Sequence, residues 1–288
     1  MVEVNYIGNM GNRLFQYCLG RIIAETLSFR LKADPIPGFP GTLEIVGGKD
    51  FSDGPIQELG GNKIDLQAVL TDHSPRKIVL NGYFQRYEYY QPFKDVIRKR
   101  WLVPGFLPVS QRSAREIVLN IRRGDYIQMG WATPFEFFRE VLESAKCERV
   151  FIVTDEPRDP FFRRFGHYQP VVFHQGPLED FSMLLSFKKM AISQSTFSWW
   201  AAFLSEAEEV VVPSSENDLW SANRKHFDVD MRLSLDVYDE RRFRMVPVRG
   251  TYRPNLAEFV FNARHYRARL RARWNFFLGR DLTPKSGT

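Results

Sequence analysis

The sequence predicts an α/β protein with parallel, doubly wound sheets. Three observations carry that expectation. Short apolar runs alternate with helix-patterned segments from residue 117 to residue 212, the rhythm of successive βα units. The chain opens on an apolar run, a glycine turn and a second helix-patterned segment. Two stretches, Asn120-Ile-Arg-Arg-Gly-Asp-Tyr126 and Ser193-Gln-Ser-Thr-Phe-Ser-Trp-Trp200, each follow an apolar run, where strand ends of such sheets bind ligands.

In chain order, residues 2–7 read as a strand and Gly8-Asn-Met-Gly-Asn12 as a turn. Leu14, Phe15, Cys18, Leu19, Ile22 and Ile23 then fall at helical spacing. Residues 34–76 are rich in Gly, Pro and Asp and predict loops with short elements. Residues 78–80 resume a strand, and residues 92–101 look helical. Val103-Pro-Gly-Phe-Leu-Pro108 predicts a linker, because two prolines and a glycine punctuate it. Residues 1–108 and 109–240 then form two units, a division that 288 residues accommodate. In the second unit strands are expected at 117–121, 150–153, 170–173, 190–192 and 210–212. Helices are expected at 134–145, with Thr133 as cap and Pro134 in the first turn, and at 158–165, 179–188 and 197–205.

Composition narrows the function. Hydrophobic residues make up 44% and aromatic residues 15%, enough to build cores and to exclude disorder throughout. No apolar run approaches the roughly 18–20 residues that cross a membrane. Met1-Val-Glu-Val-Asn-Tyr-Ile7 lacks the basic and long apolar segments of a signal peptide. Cys18 and Cys147 show neither a disulfide framework nor metal-ligand spacing, so a cytoplasmic setting is expected. The five histidines, His73, His167, His174, His226 and His265, are scattered, and no metal site is expected. His174 ends a strand and reads as a surface histidine, with a place near the pocket as the alternative. A net charge of +6 and a pI near 9.3 favour an anionic partner: nucleic acid, phospholipid or a phosphorylated substrate.

The two stretches point to the third. Arginine holds phosphate through planar, bidentate hydrogen bonds and stays charged. Neighbouring strand residues face opposite ways, so Arg122 is the expected ligand and Arg123 its support or a carboxylate's partner. Asp125 is placed to orient Arg122 or to touch a sugar. Ser193, Ser195, Thr196 and Ser198 precede a helix, whose free N–H groups favour anions; capping alone needs one hydroxyl. Trp199 and Trp200 read as core. Gly8 and Gly11 lack the third glycine of a dinucleotide fingerprint, which excludes a nicotinamide or flavin site.

The tail, residues 241–288, is basic. Eleven arginines fall between Arg241 and Arg280 against one acid, Glu258. Phe259, Ala263, Tyr266, Leu270, Trp274 and Phe277 form an apolar stripe at helical spacing. The pattern predicts an amphipathic helix, docked across the domains or laid on the inner face of an anionic membrane through residues 255–280.

Four blocks, in order, resemble the α-1,2-fucosyltransferases, glycosyltransferase family 11. They are Gly11-Asn-Arg-Leu-Phe-Gln-Tyr17, Gly82-Tyr-Phe-Gln85 with Tyr89-Tyr90, Asn120 to Tyr126, and Ser195-Thr-Phe-Ser-Trp-Trp200. The resemblance implies a GT-B fold, two Rossmann-like domains flanking the active site, with the acceptor on the side of residues 1–108 and the GDP-sugar on that of residues 109–240. It implies inverting transfer from GDP-L-fucose to a galactoside hydroxyl, with no cofactor and no metal. Arg122 would bind the diphosphate, with Asn120 and Arg123 beside it. Ser195, Thr196, Phe197 and Ser198 would support the β-phosphate. Gly11 and Asn12 would reach the donor from the other domain, and Asp155 or Asp180 would hold the guanine edge. Asp125 is the candidate general base. Two departures stand out: Asn120 replaces the signature's histidine, and Arg13 replaces a glutamine. Asparagine carries no proton, so a related GDP-6-deoxy sugar stays open as donor, as does an inactive sugar-binding relative. A nucleic-acid-binding protein is disfavoured, because the tail's arginines lack a stacking platform.

Overall fold

A computed structural model describes residues 1–106, 111–214, 235–248, 250–264 and 266–267. The first unit runs β1 (Val2–Val4), α1 (Met10–Leu27), β2 (Leu31–Lys32), β3 (Ile56–Gly61), α2 (Leu66–Thr71) and β4 (Lys77–Gly82). Its four strands are parallel, in the order β2-β1-β4-β3. Short helical pieces follow: α3 (Tyr87–Tyr90), a 3-10 turn at Gln91–Phe93, α4 (Lys94–Val96) and a π turn at Ile97–Trp101. The single helix expected over 92–101 is instead a run of 3-10, α and π turns, with Pro92 in the first of them.

The second unit runs β5 (Glu116–Ile121), α5 (Gly124–Met129), α6 (Phe135–Ser144), β6 (Arg149–Thr154), a 3-10 helix at Pro160–Tyr168, β7 (Val171–Phe173), α7 (Pro177–Leu185), β8 (Lys189–Ile192), α8 (Thr196–Leu204), β9 (Glu209–Ser214), β10 (Phe243–Pro247) and α9 (Leu256–Phe261). Six parallel strands lie in the order β10-β9-β8-β5-β6-β7. Counted from β5, this is the Rossmann order, and the order reverses between β5 and β8. The first sheet reverses between β1 and β4. The mixed α/β architecture with two parallel sheets is that of a Rossmann-like GT-B fold.

Strand β10 lies within the stretch assigned to a tail. Its buried Phe243 and Val246 are separated by exposed Arg244, so the arginines hide a short alternating strand. Strands β2 and β3 were also hidden: β3 buries only Leu59, and an edge strand needs little apolar pattern. The boundary expected at 108 falls in residues 107–110, outside the described residues.

Helix α1 ties the units together. It is buried nearly all round, as a helix between two sheets must be. Phe15 packs on Trp199 and Trp200 of α8, with ring centroids 5.0 and 4.7 Å apart, and on Tyr90 at 5.2 Å. Both tryptophans are therefore core, as read from the sequence. The helix starts at Met10, earlier than the pattern suggested, with extended Asn9 before it. Gly11 and Asn12 consequently sit in its first turn.

Candidate active site

The loops that follow β1, β4, β5, β6 and β8 converge on one cavity of about 630 Å³. Asn12, Gln85, Arg122, Asp155 and Thr196 line it, one from each loop or the helix it leads into. Both topological switch points thus open onto the same space, the usual place for a ligand in such sheets.

Arg122 stands at the end of β5, and its backbone N–H donates to Ser193 Oγ at 3.0 Å. Ser193 Oγ in turn donates to the Asn120 carbonyl at 2.7 Å, stapling the ends of β5 and β8. Two carboxylates hold the Arg122 guanidinium. Asp125 Oδ1 accepts from Nε at 3.1 Å and Nη2 at 2.9 Å, and Asp155 Oδ2 lies 3.2 Å from Nη1. Burial alone would lower the arginine pKa, but Asp155 and Asp125 outweigh it and raise it. Burial pushes the Asp155 carboxyl up, against Arg122 and the Arg123 N–H, which donates to its Oδ1 at 2.7 Å. The Arg122 side chain is 31% exposed, within the cavity rather than in bulk solvent. Tyr126 lies under it, 5.6 Å from ring centre to guanidinium, and burial pushes that phenol up to about 12.

Across the cavity, Gly11 lets α1 touch the start of α8. A Cβ there would lie 2.5 Å from the Phe197 nitrogen and 2.7 Å from Thr196 Oγ1. Contact that close allows Thr196 Oγ1 to donate to Asn12 Oδ1 at 2.9 Å. The same Oδ1 accepts from Gln85 Nε2, also at 2.9 Å. Gly8, with φ of +78°, leaves room for the Asn12 amide.

Of the remaining expected residues, Ser195 and Phe197 line the cavity with Asn120. Asn120 is buried; its Nδ2 donates to the Val153 carbonyl at 3.4 Å, and its Oδ1 has no protein partner. Asp180 also lines the wall, accepting from the Gln175 N–H at 3.0 Å and lying 2.7 Å from His174 Nδ1. Two expected residues turn away. Ser198 is buried in α8, and its hydroxyl donates to the carbonyls of Ser193 and Ser195. Arg123 is fully buried behind the cavity, paired with Asp159 at 2.9 Å and held between the rings of Phe161 and Tyr252. Adjacent positions leave the strand in opposite directions, so only one of the two arginines enters.

The sequence profile of the family described as Glycosyl transferase family 11 matches residues 73–226, more than half of the chain. This chain belongs to glycosyl transferase family 11. It is also similar to the O-antigen biosynthesis glycosyltransferase WbnK of Escherichia coli, 26% identical over 140 residues, 43% of this chain and 45% of WbnK. The chain thus matches less than half the length of that relative.

Further residues line the cavity. Gln85 and Tyr83 do so from a block that carries the resemblance. His174 lines it through its contact with Asp180. Among the described residues, no group of three or more His, Cys, Asp or Glu is placed to hold a metal ion, and no helix is long and apolar enough to cross a membrane.

The tail is helical from Leu256 with one interruption: α9 stops at Phe261, Asn262 turns inward so that its amide donates to Asp159 at 3.1 Å, and helical residues resume at 263–264 and 266–267. Phe259 and Tyr266 stack at 5.0 Å, while Leu270, Trp274 and Phe277 lie outside the described residues. Glu258 is fully buried, caps α9 with Asn255 and pairs with Arg164 at 2.6 Å.

Proposed function

We propose that this glycosyltransferase moves L-fucose from GDP-L-fucose to a hydroxyl, O2 of a terminal galactoside in a surface glycan, with inversion and without a metal. The supporting observation is the wall where Arg122 and the N-terminus of α8 meet. A guanidinium and the free N–H groups at the start of α8 face one space. Such a wall suits a diphosphate whose charge grows as it leaves. When the bond from the anomeric carbon to the β-phosphate oxygen breaks, the electron pair leaves with GDP. Fixed positive groups stabilise that charge more than they stabilise the intact donor, which is what accelerates the step.

The acceptor oxygen attacks from the opposite face, and its proton passes to a carboxylate. Asp125 uses Oδ1 to hold Arg122, which leaves Oδ2 for that proton. Asp155 or Asp180 holds the guanine edge; Asp155 also holds Arg122 and the Arg123 N–H, and Asp180 the Gln175 N–H and His174. Asn120 lines the cavity in place of the histidine of the signature.

The test is Arg122→Ala in a GDP-release assay with GDP-L-fucose. Turnover should fall about 10²–10³-fold, the cost of removing one transition-state donor, with melting unchanged within a few degrees. Near-normal turnover, or loss in chelator that manganese restores, sinks the reading. Thermal shifts with a panel of GDP-sugars identify the donor, since ligand binding stabilises the folded state.

The reading includes peripheral contact with anionic membrane. On α9, Leu256 and Val260 lie one turn apart and are 79% and 65% exposed, with exposed Arg253 and Arg264 nearby. Replacing both apolar residues by glutamate should release the protein from phosphatidylglycerol vesicles in flotation. Equal flotation of wild type and variant would count against it.

A further inference from the structure

Asn12 holds its side chain by one atom. Its Oδ1 accepts two hydrogen bonds, from Gln85 Nε2 and from Thr196 Oγ1, each at 2.9 Å. Its Nδ2 donates to no group among the described residues and is not among the buried atoms left without a partner. Nδ2 lies against Gly8, where a Cβ would stand 2.2 Å from it, and its N–H bonds are not used up among the described residues at the wall that Asn12 forms. An amide turned over would present an acceptor there instead, which repels an anion. Something must set the orientation, and the two donors do so.

Gln85 is the more constrained donor. It is 5% exposed, and its backbone N–H donates to the carboxamide oxygen of fully buried Asn62 at 3.0 Å. Asn62 follows β3, Gln85 follows β4, Asn12 opens α1 and Thr196 opens α8. One chain of hydrogen bonds thus runs from the rear of the first sheet to the helix end in the second.

We propose that Gln85 is a positioning residue: with Thr196 it fixes the Asn12 carboxamide so that its two N–H bonds face the anionic part of the substrate. The inference rests on the proposed diphosphate-leaving reaction, but not on the identity of its nucleotide or sugar. Gln85 itself touches Asn12 rather than the reacting atoms.

Three variants test it, Gln85→Ala, Gln85→Glu and Asn12→Ala, together with the double variant Gln85→Glu/Asn12→Ala. The probes are inorganic pyrophosphate and GDP, followed by calorimetry, with melting curves as the folding control. At about pH 8 a carboxylate at 85 can only accept, so it turns the Asn12 amide and brings its oxygen to the cavity. Gln85→Glu should weaken pyrophosphate about 10–100-fold, the span of a lost hydrogen bond to a charged group, and weaken it more than Gln85→Ala does. On the Asn12→Ala background the glutamate should have nothing left to turn, and its effect should shrink to within about threefold. Lowering the pH toward 5 protonates the glutamate, restores a donor and should narrow the deficit against wild type at the same pH.

A packing role for Gln85 predicts the reverse order, with the isosteric glutamate harmless and alanine worse. That order, or a glutamate effect that persists in full without Asn12, overturns the proposal. Wild type that binds pyrophosphate but not GDP removes the GDP donor while the cycle still judges Gln85. Wild type that binds neither overturns the inference as well. Should Gln85→Glu melt too low to assay, Asn12→Asp serves. It keeps an acceptor for both neighbours and puts a carboxylate oxygen where Nδ2 stands, so pyrophosphate affinity should fall about 10–100-fold at an unchanged melting temperature. Unchanged affinity there also overturns it.

Discussion

At Gly11 the helix α1 lies against the start of α8, and replacing this glycine with alanine should damage catalysis more than stability. The new Cβ would stand 2.5 Å from the Phe197 nitrogen, 2.6 Å from the Thr196 carbonyl carbon and 2.7 Å from Thr196 Oγ1. All but the hydroxyl are backbone, so no side chain can swing aside. Ordinary contact begins near 3.4 Å, so α1 and α8 must part by about 0.9 Å. The bond from Thr196 to Asn12, now 2.9 Å, would stretch beyond the roughly 3.2 Å range of a good hydrogen bond. Overpacking of this kind costs about 1–3 kcal/mol. A displacement near 1 Å in a reacting site costs about 100-fold in rate. GDP release from GDP-L-fucose by Gly11→Ala should therefore fall about two orders of magnitude, while the protein still melts cooperatively. Gly20→Ala is the control on the same helix. Its Cβ would meet Val4 Cγ2 at 2.5 Å, a side-chain atom in the core. It should lower stability comparably and leave the rate per folded molecule alone. Gly11→Ala working within threefold of wild type would refute the reasoning, as would equal rate loss in Gly20→Ala.

Two further outcomes follow from the carboxylates around the arginine pair. Arg123→Met strands Asp159 in the interior beside Asn262; breaking such a buried pair costs about 3–5 kcal/mol, and urea denaturation that shows less than about 1 kcal/mol would deny Arg123 its structural role. Asp155 has a folded-state pKa raised by burial, with Arg122 opposing. Its proton is thus held more tightly in the folded state, and ionising it costs stability, in full above the folded value and not at all below the unfolded one. The melting temperature of Asp155→Asn relative to wild type should rise with pH through that raised value. Activity of wild type should show an acid limb above the ordinary carboxylate range, where Asp155 stops holding Arg122. A relative stability independent of pH would contradict both.

Much of the second sheet was readable because β5, β6, β8 and β9 are buried on both faces and appear as unbroken apolar runs. β3 and β10 were not, because each buries one or two side chains and carries charge between them. The helix expected over 92–101 became 3-10, α and π turns in succession, a change of hydrogen-bond spacing that apolar periodicity does not encode. In the cavity, Arg122, Asp125, Ser195 and Thr196 were legible as chemistry placed after strands. Gln85 was not, since a lone glutamine in an aromatic stretch announces nothing until Asn12 is seen beside it. The contact of His174 with Asp180 was likewise illegible, since the partner lies on the next helix, six residues on.

The sequence by itself determined the class of fold, the arginine and hydroxyl chemistry, and the strand ends that carry them. These follow from local patterns: buried strands are apolar, and ligand groups sit where strands stop. Only tertiary structure decided what restrains Arg122 in the cavity. It alone brought Asn12 and Gln85 from one sheet against Thr196 from the other. Partners 73 and 184 positions apart leave no periodicity to read. Their meeting depends on how α1 packs on α8, a property of two buried faces together and of neither segment alone.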